Sequence, residues 1–127
     1  MERLGILAGA GKLPVECARA AKQLGYEVYA VGLLETTDPQ IAEFVTDYQK
    51  ISVAQLDAIL NYLTQHELQK VTMIGKVTKE LLFNGAVQPD ARMLQLIMSL
   101  PDRSDDTIML AFVRELAKAG METFEIG

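Results

Sequence analysis

The chain has 127 residues, half of them apolar, and 17 acidic side chains against 12 lysines and arginines give a net charge of −5. That length suits one domain around one core, and the acidic balance argues against nucleic acid as a partner, because neutralising phosphates takes a basic face. The lone cysteine, Cys17, excludes an internal disulfide, and no apolar run approaches the ~20 residues that span a bilayer, so the sequence reads as cytosolic, in a reducing compartment.

Leu4 to Ala8 is a short apolar run bounded by glycines and predicts a buried first strand. A helix follows from about Pro14, a residue suited to a helix's first turn, to Leu24, with Gly25 as its stop. Cys17 falls beside Val15, Ala18 and Ala21 on the packed face of that helix. Its reading is space-filling, since no histidine lies near it in sequence. Glu27 to Gly32 predicts the second strand, and together these pieces make a parallel βαβ unit.

Asp38-Pro39 opens a short helix through Glu43, and Phe44 to Ile51 predicts a more polar strand nearer the sheet edge. Ser52 followed by Gln55 has the pattern of a capping box. Val53, Leu56, Ile59, Leu60 and Leu63 then recur at helical spacing, predicting a helix to about Gln65. His66 follows on its exposed end and reads as a surface residue. Lys70 to Gly75 predicts the fourth strand. One helical turn over Thr78 to Phe83, a helix over Pro89 to Leu100, and a helix from a Ser104 cap to Ala119 with Gly120 as its stop come next. Met121 to Ile126 predicts a fifth strand.

This alternation predicts an α/β fold: a Rossmann-like, open, mostly parallel sheet of about five strands with helices on both faces and 3-2-1-4-5 as the default strand order. Residues 77 to 103 break the alternation and are rich in Leu, Met and Ile. They read either as core packing or as a face for another domain or a second protomer.

In such sheets ligands bind at the carboxyl ends of the strands. Gly9-Ala10-Gly11-Lys12, between the first strand and its helix, has the composition of an anion cradle, in which glycines allow close approach and a helix N-terminus supplies amides. Gly75-Lys76 ends the fourth strand in the same manner, and Lys12 and Lys76 could each meet a phosphate as a point charge. Asp105 and Asp106 sit in the first turn of a helix, where the dipole favours negative charge, with a polar or metal-linked role as the alternative. The dinucleotide fingerprint is incomplete, because Pro14 stands where its third glycine would be, although Glu35 past the second strand keeps a small NAD-binding domain open. A P-loop is excluded, since Leu13 replaces the magnesium-binding hydroxyl. No nucleophile, histidine and acid form a catalytic set.

Leu-Gly-Ile-Leu-Ala-Gly-Ala-Gly-Lys-Leu-Pro, then Gly75-Lys76-Val77, then Ser104-Asp105-Asp106-Thr107, together resemble the amino-terminal half of the LpxI-type UDP-2,3-diacylglucosamine pyrophosphatases, in order and spacing across nearly the whole chain. The resemblance implies cytosolic, bacterial, metal-dependent enzymes of lipid A synthesis that hydrolyse UDP-2,3-diacylglucosamine to 2,3-diacylglucosamine 1-phosphate (lipid X) and UMP. It further implies a Rossmann-like domain joined to a distinct carboxyl-terminal domain, with substrate between them. Gly9, Ala10, Gly11, Lys12, Gly75 and Lys76 would then hold the phosphate or sugar portion, with Asp105 and Asp106 nearby. The divalent cation, Mg or Mn, and the catalytic acids are expected from the second domain rather than from this stretch, which ends at Gly127. Residues 1–127 are accordingly expected to be a single domain, inactive alone, with residues 77–103 meeting the second domain or another protomer. Contact with a membrane is expected only peripherally, through the lipid substrate. A non-catalytic interaction module is the remaining alternative.

Overall fold

Five parallel strands form one sheet in the order β3-β2-β1-β4-β5. They are β1 (Arg3–Ala8), β2 (Glu27–Gly32), β3 (Asp47–Lys50), β4 (Lys70–Ile74) and β5 (Glu122–Phe124). The helices are α1 (Leu13–Gln23), α2 (Leu56–Gln65), α3 (Glu80–Phe83), α4 (Ala91–Met98) and α5 (Asp105–Lys118), with a 3₁₀ turn over Pro39–Phe44 between β2 and β3. The computed structural model describes residues 1–77, 79–83, 85 and 87–124. The predicted class and strand order are those observed.

Alternation along the central strand sorts the core into two layers. Leu4, Ile6 and Ala8 of β1 face α1, where Val15, Cys17, Ala18, Ala21 and the 3₁₀ residue Ile41 complete a buried cluster. Leu7 points the other way, into a larger cluster with Val31, Leu56, Ile59, Leu63, Met93, Phe112 and Leu116. Helix α1 therefore covers one face, and α2, α4 and α5 cover the other. This is what right-handed crossovers require when the chain first winds from β1 toward β3 and then returns past β1 to β4 and β5. The reversal falls between β1 and β4, and the loops leaving those two strands meet there.

Several boundaries differ from the sequence reading, each for a local reason. Phe44 closes the 3₁₀ turn and packs on the α1-side cluster, so β3 begins only at Asp47. Ser52 and Gln55 form no capping box: the Ser52 hydroxyl accepts from Ala54 N at 3.2 Å, and Gln55 sits at the N-cap of α2 without a side-chain cap bond. Helix α4 spans Ala91–Met98, shorter at both ends than Pro89 to Leu100; the Asp90 carboxylate sets its start by accepting from Met93 N at 2.8 Å. The one-turn helix is Glu80–Phe83, its expected first residue Thr78 lying outside the described residues, as do residues 125 and 126 of the expected fifth strand. Ser104 caps α5 as expected, accepting from Thr107 N at 3.2 Å, and Gly120 follows with φ +90°.

His66 departs from its surface reading. It is half-buried, set between the tilted Tyr29 and Tyr62 rings with centroids 4.8 and 4.6 Å away, and its Nε2 lies 3.7 Å from the Asp47 carboxylate. This cluster sits at the amino-terminal edge of the sheet, opposite the loops that leave β1 and β4. The apolar residues of 77–103 divide: Met93 and Leu96 are buried in the larger cluster, while Leu94 and Met98 of α4 are exposed, as are Met109 and Leu110 of α5.

Candidate functional site at the seam between two strand loops

The turn after β1 and the turn after β4 are joined backbone to backbone. Gly9 N donates to Ile74 O at 2.9 Å, Ala10 N to Lys76 O at 2.8 Å, and Lys76 N back to Ala10 O at 3.0 Å. A Cβ on Gly9 would lie 2.5 Å from Lys76 O. One on Gly75, whose φ is +97°, would lie 2.8 Å from Ala10 O and 2.9 Å from the Pro14 ring. These two glycines therefore serve close approach between loops, and the Gly9 and Ala10 amides are already engaged by carbonyls. That corrects the expectation of a cradle built on them. Donors that remain are those of the first turn of α1, where Lys12, Leu13 and Val15 have no intrahelical partner and Pro14 has no N–H.

Thr37 fastens a third loop to the seam, and nothing in its sequence context marked it. Its buried hydroxyl donates to Ala8 O at 3.0 Å and accepts from Leu34 N at 3.2 Å, and its backbone forms an isolated parallel bridge with Gly11. Gly11 itself has φ +97° and open space around its Cα, so its need for glycine is conformational rather than steric.

On the other side of Gly75 lies a cavity of about 210 Å³ between the sheet and α3, α4 and α5. Leu7, Val53, Met73, Met93, Leu96 and Phe112 are among its largely apolar walls. Lys79 and Asp105 supply its charged members, with Lys79 Nζ 3.9 Å from the Asp105 carboxylate. Beside them Arg103 stacks on the Phe83 ring at 4.3 Å. The structure thus brings together Gly9, Ala10, Gly11, Lys12, Gly75 and Lys76 at one seam, and places Asp105 at the cavity next to it. Lys12 and Lys76 are exposed. Asp106 is exposed in the first turn of α5 and does not line the cavity. Lys79 was not singled out from sequence, because a lysine before a short helix carries no pattern.

Among the described residues no three His, Cys, Asp or Glu side chains converge as a metal-binding group. Several features depart from the usual dinucleotide-binding turn. Amides of the glycine turn are bonded to the β4 turn, Pro14 packs where a third glycine would let helix and strand close up, and Glu35 pairs with Lys50 at 3.1 Å. Tyr48, packed with its hydroxyl against Gly32, occupies the end of β2. Among the described residues no helix is long and apolar enough to cross a membrane.

Comparison with known proteins matches this arrangement to a family. The UDP-2,3-diacylglucosamine pyrophosphatase LpxI of Caulobacter vibrioides is 27% identical over 125 residues, which is 96% of this chain and 43% of that protein. The chain thus spans less than half the length of this curated relative. Among solved structures, UDP-glucose 4-epimerase from Thermotoga maritima superposes with a TM-score of 0.62 at 13% identity, covering 97% of this chain and 37% of the epimerase. The L-threonine dehydrogenase of Cupriavidus necator gives 0.57 at 14% identity, covering 96% of this chain and 36% of that one. At such identities these two share the fold alone. The model of the LpxI N-terminal domain matches residues 3–126, and the chain belongs to that family.

Proposed function

We propose that this chain is the substrate-binding part of a UDP-2,3-diacylglucosamine pyrophosphatase, the enzyme that hydrolyses UDP-2,3-diacylglucosamine to 2,3-diacylglucosamine 1-phosphate (lipid X) and UMP. One observation carries the reading. A single residue, Gly75, separates the amide-bearing first turn of α1 from an apolar cavity, which suits a ligand with a phosphate at one end and an acyl chain at the other. The first turn of α1 and the Lys12 and Lys76 side chains would hold the phosphate by dipole and charge. The cavity would take apolar substance, with Lys79 at its charged side.

Water activation would come from groups beyond these residues, as the resemblance to the two-domain enzymes implies. A divalent cation, Mg or Mn, would likewise take its ligands from beyond this stretch. The exposed Leu94, Met98, Met109 and Leu110 would face the remainder of a longer enzyme or a second protomer. Cytoplasmic location, with at most peripheral membrane contact through the lipid, follows from the same reading.

Phosphorus NMR of UDP-2,3-diacylglucosamine in detergent, with and without the protein, tests this. Broadened diphosphate signals without appearance of UMP are expected. Release of UMP by residues 1–127 alone would remove the requirement for groups elsewhere, and unaltered signals would overturn the reading altogether.

A further inference from the structure

Asp90 holds two helices with one carboxylate. One oxygen accepts from Met93 N at 2.8 Å in the first turn of α4, and the other accepts from Asp57 N at 2.8 Å in the first turn of α2. Its own amide donates to Ala54 O at 3.1 Å. Helix α2 has no side-chain cap of its own, so Asp90 supplies from a distant segment what Ser52 and Gln55 do not. Neighbouring contacts reinforce the junction. Gln55 Nε2 donates to Gln88 O at 2.6 Å, and Arg92 pairs through Nε with Asp57 at 2.7 Å and through Nη1 with Glu115 at 3.4 Å.

The junction lies behind the cavity. Val53, next to Ala54, and Met93, whose amide Asp90 caps, both line it. We infer that Asp90 is a positioning residue that fixes the spacing of the α2 and α4 N-termini and through them the width of the cavity. This rests on the reading of that cavity as the site for an apolar chain. The chemistry explains why this position holds aspartate. Two oxygens on one short side chain can serve two helix ends at once, and both helix dipoles favour its negative charge. Asparagine offers one acceptor oxygen and can cap only one of the two helices.

Asp90→Asn and Asp90→Ser are the variants, the second keeping a capping hydroxyl for α4 alone. Three readouts apply: amide hydrogen exchange at Asp57 and Met93, methyl carbon shifts of Met93 and Val53, and titration with decanoate and hexanoate as alkyl probes. In Asp90→Asn, exchange is expected to rise at one of the two amides and both methyl signals to move. Decanoate affinity should fall by about fivefold while the thermal midpoint stays well above the assay temperature. A merely structural aspartate would lower the midpoint and leave the methyl shifts and the preference for decanoate over hexanoate unmoved. Unchanged exchange or unchanged methyl shifts in both variants would overturn the inference. Failure of the unaltered protein to bind decanoate would instead sink the reading of the cavity, and the exchange and methyl results would still decide the role of Asp90.

Discussion

Gly9, Gly11 and Gly75 look alike in sequence, and their different surroundings predict different responses to the same added methyl group. At Gly9 the new Cβ would meet backbone that cannot step aside, so Gly9→Ala should destabilise by about 1–3 kcal/mol. Gly75→Ala adds a left-handed φ to the same clash, a further penalty of about 1–2 kcal/mol. Gly11→Ala bears only that conformational penalty, because nothing lies within 4 Å of its would-be Cβ. Urea unfolding of the three variants should therefore rank Gly75 as most sensitive. If Gly11 proves most sensitive, close approach of the two turns is not what these glycines provide. Titration of the tyrosines is a second residue-scale test. Burial, followed by the hydrogen bond from its hydroxyl to Asp47, pushes Tyr62 far above the usual tyrosine range. The bond to Glu27 raises Tyr29, and burial raises Tyr48. The folded protein thus retains protons that the unfolded chain releases near pH 10, and stability falls as pH rises through that value. Denaturation midpoints from about pH 9 to 11 should drop for the unaltered protein and drop less for Tyr62→Phe. Equal slopes would remove Tyr62 from the explanation.

At the scale of elements, what could be read from sequence was what local periodicity and caps encode. Ser104 ahead of Asp105 and Asp106 announced α5, and the cap bond is present, so Ser104→Ala should cost about 1 kcal/mol. Chemical denaturation compared with Asp106→Ala, which makes no cap, would check it. The start of α2 was misread because its cap is not local: Asp90 is 33 residues from Asp57, and no window of sequence reveals such a partner. The same limit hid Thr37, whose bonds run to Ala8 and Leu34 rather than along a recognisable motif. His66 was misplaced because aromatic partners from β2 and α2 enclose it only after folding. The apolar content of 77–103 did not sort itself into faces in sequence; the structure buries Met93 and Leu96 and leaves Leu94 and Met98 exposed. Met93→Ala should destabilise by about 2–5 kcal/mol through the enlarged cavity, and a thermal midpoint close to that of unaltered protein would show that the helix packs loosely.

For the molecule as a whole, strand order followed from alternation and handedness, whereas the site did not follow from its most suggestive motif. Gly9-Ala10-Gly11 reads as an anion cradle, yet two of its amides hold the β4 turn in place. What the seam leaves free is the first turn of α1 on one side and an apolar cavity on the other, an arrangement visible only once β1 and β4 stand side by side. The decisive titration uses ¹⁵N-labelled protein and short-chain 2,3-diacylglucosamine 1-phosphate, followed by two-dimensional NMR. Saturable shifts at Leu13, Val15, Gly75, Lys79 and Met93 are expected together, with a single affinity. Shifts confined to the opposite edge around His66 and Tyr62, or none at all, would contradict the assignment of substrate to this seam.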